Sequence, residues 1–143
     1  MKLFSNAYHG LHGKDELRIY FEDKNIGLFV WINEKNELPA FQADYNNEIS
    51  FHFNRPNKIG IGRINNEPIS GGITGELTDS EVNLIKEKIC ALDNEEFKGI
   101  FKIIKDAVQQ RNIDSFIIPK SEIKKINRLN IESFLGKGKK KRP

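Results

Sequence analysis

The amino-acid sequence predicts an α+β fold: an antiparallel β-meander of four to five strands, an αα-hairpin packed on one sheet face, then a short strand, a short helix and a basic tail. Residues 17–54 alternate apolar and polar side chains with the period of a β-strand. Residues 78–108 instead place apolar side chains at helical spacing. The 143 residues suffice for a single domain, which we place at residues 1–135, and residues 136–143 are expected to be a disordered basic tail.

The segment Ile26–Ile32 differs from its neighbours because both of its faces are apolar. One parity is aliphatic, and the other carries Phe29 and Trp31. A strand that is apolar on both faces is usually covered on both. The segment therefore predicts a central strand, with the later helices packed on one of its faces.

Residues 17–23 alternate cleanly and predict the strand before it. The dipeptide Lys24-Asn25 predicts a two-residue turn that closes a hairpin onto Ile26–Ile32. This turn fixes the register of the aliphatic face, which pairs Leu17 with Ile32, Ile19 with Val30, and Phe21 with Leu28.

The other face of this hairpin pairs Arg18 with Trp31 and Tyr20 with Phe29. An arginine over a tryptophan ring would add a cation–π contact. One interpretation is that these aromatic side chains are core or helix-covered. The alternative is a platform on which nucleic-acid bases stack, but no RNA-recognition motif accompanies it.

Residues 38–45 predict the next strand, and Pro39 confines it to a sheet edge or a strand start because proline donates no ladder hydrogen bond. A three-residue loop, 46–48, gives apolar pairing with the strand at 49–54, whereas a two-residue loop would mix the faces. This register places two polar pairs on the second face, Gln42 opposite His52 and Asp44 opposite Ser50. Residues 59–64 predict a fifth strand.

His52, with Asp44 and Ser50, is the nearest approach in the chain to a catalytic set. A neutral histidine beside a carboxylate can act as a general base. The sequence places no nucleophile, oxyanion hole or second acid beside it. We therefore interpret these residues as the polar side of a half-exposed sheet.

His9 and His12 are the other candidates for catalysis or metal binding, and Asp15 lies nearby. Two histidines three residues apart share a face only on a helix, which the interleaved glycines oppose. We predict no metal site, because no cysteine or histidine cluster elsewhere supplies further ligands by its spacing. We predict no cofactor, because the glycines of residues 60–75 match no phosphate-binding motif. Residues 65–75 are predicted to form a mobile connector, with a functional loop as the alternative.

Two helices are predicted after this connector. Thr78 and Glu81 form a capping box that starts the first. Residues 93–96 start the second, and Asn112 is its predicted stop. Cys90 is interpreted as a neutral helix residue and not as a nucleophile. The acidic first turn of the second helix argues against a DNA-binding helix-turn-helix, which would place base-contacting residues there.

The positive charge of the chain lies at its C-terminal end. Residues 120–142 hold nine basic and two acidic side chains, a net charge of +7, whereas the rest of the chain carries −4. Residues 114–119 predict a short strand, and Ser121 is predicted to cap a short helix. Binding of nucleic acid would therefore use this region, by phosphate contacts without sequence preference. The candidate residues are Lys120, Lys124, Lys125, Arg128, Lys137, Lys139, Lys140, Lys141 and Arg142.

The sequence also bears on the cellular location of the protein. No apolar run approaches the roughly 20 residues needed to cross a bilayer, and the N-terminus lacks the pattern of a secretory signal. The single cysteine excludes an internal disulfide. We expect a cytoplasmic protein without a membrane partner.

Three functional hypotheses follow. The first is a small non-enzymatic binding or inhibitory protein that acts on a protein partner through the exposed sheet face or the 65–75 loop. The second is a nucleic-acid-associated module that uses the basic C-terminal region. The third is a small histidine-dependent nuclease or hydrolase. The sequence leaves the oligomeric state open.

Overall fold

A seven-stranded antiparallel sheet forms the centre of the fold. The computed structural model describes residues 2–4, 17–64, 73–74, 77–111, 113 and 115–128. Every strand pairs with its neighbours in sequence, so the spatial order is the chain order. The strands are β1 (Lys2–Phe4), β2 (Leu17–Glu22), β3 (Ile26–Ile32), β4 (Ala40–Tyr45), β5 (Ile49–Asn54), β6 (Lys58–Ile64) and β7 (Ile73–Thr74). The predicted five-stranded meander is confirmed, and β1 and β7 add a short strand at each edge.

Two tight turns set the register of the sheet. Asp23 and Ile26 exchange backbone hydrogen bonds of 2.9 and 3.4 Å around the predicted two-residue turn. In the β4–β5 turn, Asn46 and Asn47 have φ values of 53° and 57°. Asparagine tolerates this left-handed conformation better than most residues. The predicted registers of both hairpins are confirmed.

Pro39 immediately precedes β4, which lies inside the sheet between β3 and β5. Of the two positions predicted for this proline, the strand start is correct and the sheet edge is wrong. Its missing N–H removes no ladder bond because the ladder begins one residue later. Its carbonyl accepts a hydrogen bond from the Arg55 N–H at 2.9 Å.

The helical hairpin consists of α1 (Asp79–Cys90) and α2 (Lys98–Val108). The predicted capping box at Thr78 and Glu81 is present. A 3-10 turn, Glu95–Phe97, precedes α2, so the α-helix itself starts later than predicted. It ends at Val108, before the predicted stop at Asn112, which lies outside the described residues. Within the described part of the chain, no helix is long and apolar enough to span a bilayer.

The hairpin covers the aliphatic face of the sheet. Phe21, fully buried, contacts Phe97 and Phe101 at ring-centroid distances of 5.5 and 5.0 Å. On β4 and β5, Phe41 stacks on Phe53 at 5.2 Å. The core therefore lies between one sheet face and the two helices. The prediction that the helices pack on one face is confirmed, although the sequence did not decide which face.

The C-terminal segment returns to the sheet beside residues 36–38. The Phe116 carbonyl accepts a hydrogen bond from the Leu38 N–H at 2.9 Å. The short strand predicted at 114–119 is present as a single β-bridge between Glu37 and Ile117. Helix α3 spans residues 120–128, so Ser121 lies inside its first turn, and the prediction that Ser121 caps the helix is wrong.

The predicted connector at 65–75 is shorter than expected. Ile73 and Thr74 pair with β6 as the edge strand β7. Residues 65–72 and 75–76 lie outside the described residues, as do residues 129–143 with the predicted tail.

Candidate functional site

The sheet has a second face, opposite the helical hairpin, and the candidate site lies there. We define the second face by the residues of β2 to β5 whose parity is opposite to that of the core residues. They are Arg18, Tyr20, Glu22, Gly27, Phe29, Trp31, Ala40, Gln42, Asp44, Ser50, His52 and Asn54. Neighbouring β6 contributes Gly60 and Gly62 beside His52 and Ser50, so these two positions of β6 add no side chains to the face.

Aromatic rings form a row across the second face. The Tyr20 and Phe29 ring centroids are 4.7 Å apart, and those of Phe29 and Trp31 are 6.4 Å apart. The Arg18 guanidinium lies 5.1 Å from the Phe29 ring centroid, so the structure places a cation–π contact diagonally across the hairpin. Trp31 is buried, whereas Tyr20 and Phe29 are half-buried. The predicted pairings of these residues are confirmed.

Asp44 is the centre of a hydrogen-bond network on β4 and β5. The Gln42 amide nitrogen lies 3.1 Å from each carboxylate oxygen. The Ser50 hydroxyl donates to Oδ1 at 2.5 Å. These two neutral donors hold the half-buried carboxylate in one orientation.

His52 is not part of that network. Among the described residues, its Nε2 atom is buried without a hydrogen-bond partner. Burial lowers the pKa of His52 below its usual value of 6.5, although the charge of Asp44 partly opposes the shift. His52 also lines a small cavity of about 150 Å³ together with Trp31 and Gln42. Burial therefore favours the neutral imidazole, and its Nε2 atom makes no hydrogen bond within the described part of the chain.

The predicted catalytic set is brought together without forming a nucleophile–base pair. Ser50 donates to Asp44, while His52 faces Gln42 across the two strands. In a serine nucleophile, the hydroxyl must instead donate to the imidazole, which the carboxylate orients. The order of contacts here is that of a polar network and not of a triad.

An open cavity of about 380 Å³ lies at the end of the second face, between the β2–β3 and β4–β5 turns. Its walls include the Tyr20 and Phe29 rings, the Asp44 and Glu22 carboxylates, and residues of both turns. The Asn46 N–H donates to the Asn25 carbonyl at 2.8 Å, which ties the two turns together. The cavity therefore has a fixed rim.

Tyr20 lies over Gly27 at the base of this cavity. A Cβ atom on Gly27 would come within 2.5 Å of the Tyr20 hydroxyl oxygen, so the ring needs a glycine beneath it. Burial raises the pKa of Tyr20 above its usual value of 10, and the charges of Glu22 and Asp44 raise it further. The cavity thus has a negative local potential.

Part of the predicted nucleic-acid site is described. Lys120, Lys124 and Arg128 are exposed on α3. Lys125 is half-buried, and its ammonium donates to the Glu96 backbone carbonyl at 3.3 Å, so it is not part of the exposed group. The remaining predicted residues, Lys137, Lys139, Lys140, Lys141 and Arg142, lie outside the described residues.

The remaining candidates for catalysis or metal binding are His9, His12 and Cys90. His9 and His12 lie outside the described residues. Within the described ranges, no three histidine, cysteine or carboxylate side chains lie together as a metal ion would need. Burial raises the pKa of the Cys90 thiol, which favours the neutral form that the sequence predicts. No protein-family model, curated protein sequence or solved structure matches this chain.

Sequence reasoning missed the cavity, although parity along β2 could have indicated one of its carboxylates. Arg18, Tyr20 and Glu22 share one parity, so Glu22 must lie on the aromatic face. No sequence pattern indicated that the two turns line the cavity, because the contact between Asn25 and Asn46 joins positions far apart in the sequence.

Proposed function

We propose that this protein is a non-enzymatic binding protein that holds a partner protein on the second face of its sheet. The proposal depends on one observation: half-buried aromatic and hydrogen-bonding side chains lie together on the sheet face that neither α1 nor α2 covers. Aromatic residues and arginine are enriched in the cores of protein interfaces. Tyr20, Phe29 and Arg18 give the face this composition.

Charge supports a protein partner over a nucleic acid at this face. Glu22 and Asp44 carry negative charge beside the Tyr20 and Phe29 rings. Proteins that stack bases on aromatic rings combine those rings with a positively charged groove that follows the phosphates. Carboxylates in that position would repel a phosphate backbone.

The free hydrogen-bonding capacity of His52 also supports binding. A buried nitrogen without a partner lowers stability by about 1–3 kcal/mol. A partner group that enters the cavity of about 150 Å³ beside His52 and forms a hydrogen bond with this atom would recover that free energy. The same atom has no assembled nucleophile to activate, as described above.

Capture of partner proteins from nuclease-treated lysate tests the proposal. The wild-type protein is compared with Gln42→Arg, which places a long charged side chain in the middle of the face. Asn83→Arg, at an exposed position of α1, is the matched control. We expect a discrete protein bound by the wild type and by Asn83→Arg but lost with Gln42→Arg, and direct titration of the purified partner must give the same order.

Two results would contradict the proposal. If Gln42→Arg keeps its fold, judged by its melting temperature, and still binds the partner with wild-type affinity, the second face is not the binding surface. If only nucleic acid is recovered before nuclease treatment and no protein after it, the protein-partner proposal fails.

A second candidate is nucleic-acid association through the basic C-terminal region. Its specific support is the exposure of Lys120, Lys124 and Arg128, for which the described residues show no ion pair. Deletion of residues 136–143 together with alanine at these three positions should weaken RNA or DNA binding. It should also flatten the salt dependence of binding, because fewer counterions are released.

The triple alanine substitution is also tested without the deletion, and its matched control removes three exposed lysines elsewhere, Lys35, Lys58 and Lys98. Equal loss of affinity in this control and in the triple alanine variant would show only a general charge effect. Unchanged affinity after the deletion and the triple substitution would exclude the basic region.

A further inference from the structure

We propose that the cavity between Tyr20, Phe29 and Asp44 binds an alkylammonium group, presented as a lysine side chain of the partner protein. The claim that a partner protein supplies this ammonium group rests on the proposed function above. The preference of the cavity for such a group can be tested by itself.

Asp44 differs from every other half-buried carboxylate that the structure describes. Glu37 pairs with Arg55 at 3.1 Å, Glu81 with Arg63 at 2.8 Å, and Asp106 with Lys102 and Arg111 at 3.6 and 3.9 Å. Among the described residues, Asp44 has only the neutral partners Gln42 and Ser50. A partly desolvated carboxylate without a cation is costly, and a cation at this position would offset that cost.

The hydrogen bonds of Asp44 leave one acceptor position open. A carboxylate offers about four lone-pair positions. Oδ1 accepts from both Ser50 and Gln42, whereas Oδ2 accepts from Gln42 alone. One further donor therefore fits at Oδ2. A compact ammonium can use a single acceptor, while the fork of a guanidinium is matched to two.

The aromatic walls suit the rest of a lysine side chain. The Tyr20 and Phe29 rings are tilted by 41° to each other. The Arg18 guanidinium already contacts the Phe29 ring, so in our proposal the Tyr20 ring supplies the cation–π contact and both rings cover the methylene groups. A volume of about 380 Å³ is within the range of small-ligand sites. The cavity is larger than a single ammonium needs and can admit the alkyl stem.

The charged residues that line the cavity have a net negative charge, which favours a cation. Glu22, Asp23 and Asp44 line the cavity against one cation, Lys24, which gives the charged lining a net charge of −2. In the described structure Lys24 forms no ion pair with these carboxylates. A second ammonium would therefore enter a cavity whose charged lining is net negative, opposed by Lys24 at the rim and by the Arg18 guanidinium beside the Phe29 ring.

The first experiment uses small probes and NMR of the Gly27 and Asn46 amides. N-acetyl-lysine methylamide is compared with N-acetyl-norleucine methylamide, which keeps the alkyl stem but carries no charge. We expect saturable shifts with the lysine probe only. Asp44→Asn should lower its affinity about tenfold, since it removes the charge from one hydrogen bond, and Lys24→Gln should raise it.

The matched control is Glu87→Gln, which neutralises an exposed carboxylate on α1. Any one of three results would overturn the proposal. The two probes could bind equally, or the lysine probe could show no saturable binding. The third result is an equal loss of affinity with Asp44→Asn and Glu87→Gln. N-acetyl-arginine methylamide tests the single-acceptor argument, and binding tighter than the lysine probe would contradict it.

A second experiment separates this proposal from the proposed function. Asp44→Asn is tested against the purified partner in parallel with Gln42→Arg. If both variants lose the partner and the lysine probe, the partner's lysine is the ligand. If the partner is lost with Gln42→Arg but unaffected by Asp44→Asn, the binding face stands and the lysine contact is wrong. If free diamines bind more tightly than any lysine peptide, a small amine is the ligand and the partner source is wrong.

Discussion

Glu122 of α3 caps the N-terminus of α2 by accepting a hydrogen bond from the Gly99 N–H at 2.9 Å. Its other carboxylate oxygen accepts from the Ile100 N–H at 3.0 Å. The residue before α2, Phe97, provides no side-chain cap. Helix N-termini need acceptors for their free N–H groups and favour negative charge. A residue 23 positions from Gly99 therefore supplies both.

Replacing Glu122 should therefore destabilise the fold strongly. The side chain is only 6% exposed, and Glu122→Ala leaves two donors at the start of α2 without a partner. We expect a loss of about 2–3 kcal/mol in the free energy of unfolding. Chemical denaturation monitored by circular dichroism measures it.

Glu122→Gln is the informative comparison, because it keeps one acceptor and loses the charge. It should cost less than alanine. The control is Lys124→Ala, at an exposed position of the same helix. If Glu122→Ala were as stable as this control, the capping role would be contradicted.

Phe21 and Phe29 provide a test of the two faces with one residue type. They lie on neighbouring strands, but Phe21 is fully buried under α2, whereas Phe29 is half-buried on the second face. Phe21→Ala should cost about 3–5 kcal/mol because it leaves a cavity in the core. Phe29→Ala should cost about 1 kcal/mol. Urea denaturation of both variants gives the comparison, and equal costs would contradict the assignment of faces.

The strand registers could be predicted because the hydrophobic pattern of each strand allows only one pairing. A shift of one residue at the β4–β5 turn would have set Asp44 against Ile49 and exposed the apolar face of β5. The same pattern predicted that the helices pack on one face of the sheet, but it did not decide between the face with Phe21 and the aromatic face. The capping box at Thr78 was also predicted correctly, because it depends on residues close in sequence. The cap predicted at Ser121 was wrong, because α3 begins at residue 120, one residue before Ser121.

The parts that could not be predicted depend on distant residues. Pro39 was compatible with two positions, an edge strand or the start of a strand. Only the pairing of β4 with both of its neighbours decided between them. Glu122 looked like one acidic residue in a basic region, because its position at the start of α2 depends on tertiary packing. The candidate site was half predictable: parity placed Asp44, Ser50 and His52 together, but not the direction of the Ser50 hydroxyl.

Gly27→Ala tests the position of Tyr20 in the cavity. The added Cβ would lie too close to the far end of the Tyr20 side chain, which can rotate away. We expect a change in stability within about 1 kcal/mol and a clear loss of affinity for the lysine probe. Tyr20→Leu, which removes the ring directly, should give a similar loss of affinity. Unchanged affinity in Gly27→Ala would mean that the ring does not form the binding wall.

The pH dependence of stability should report the burial of His52. Because burial lowers its pKa in the folded protein below the usual 6.5, the unfolded chain binds more protons than the folded protein between the two pKa values. Stability is therefore complete above the unfolded pKa and declines as pH falls from about 6.5 toward the folded pKa. His52→Gln should remove this part of the decline. The difference between wild-type and variant unfolding free energies, measured from about pH 8 to pH 5, isolates it. A difference that does not change with pH would show that His52 is solvated in the folded protein.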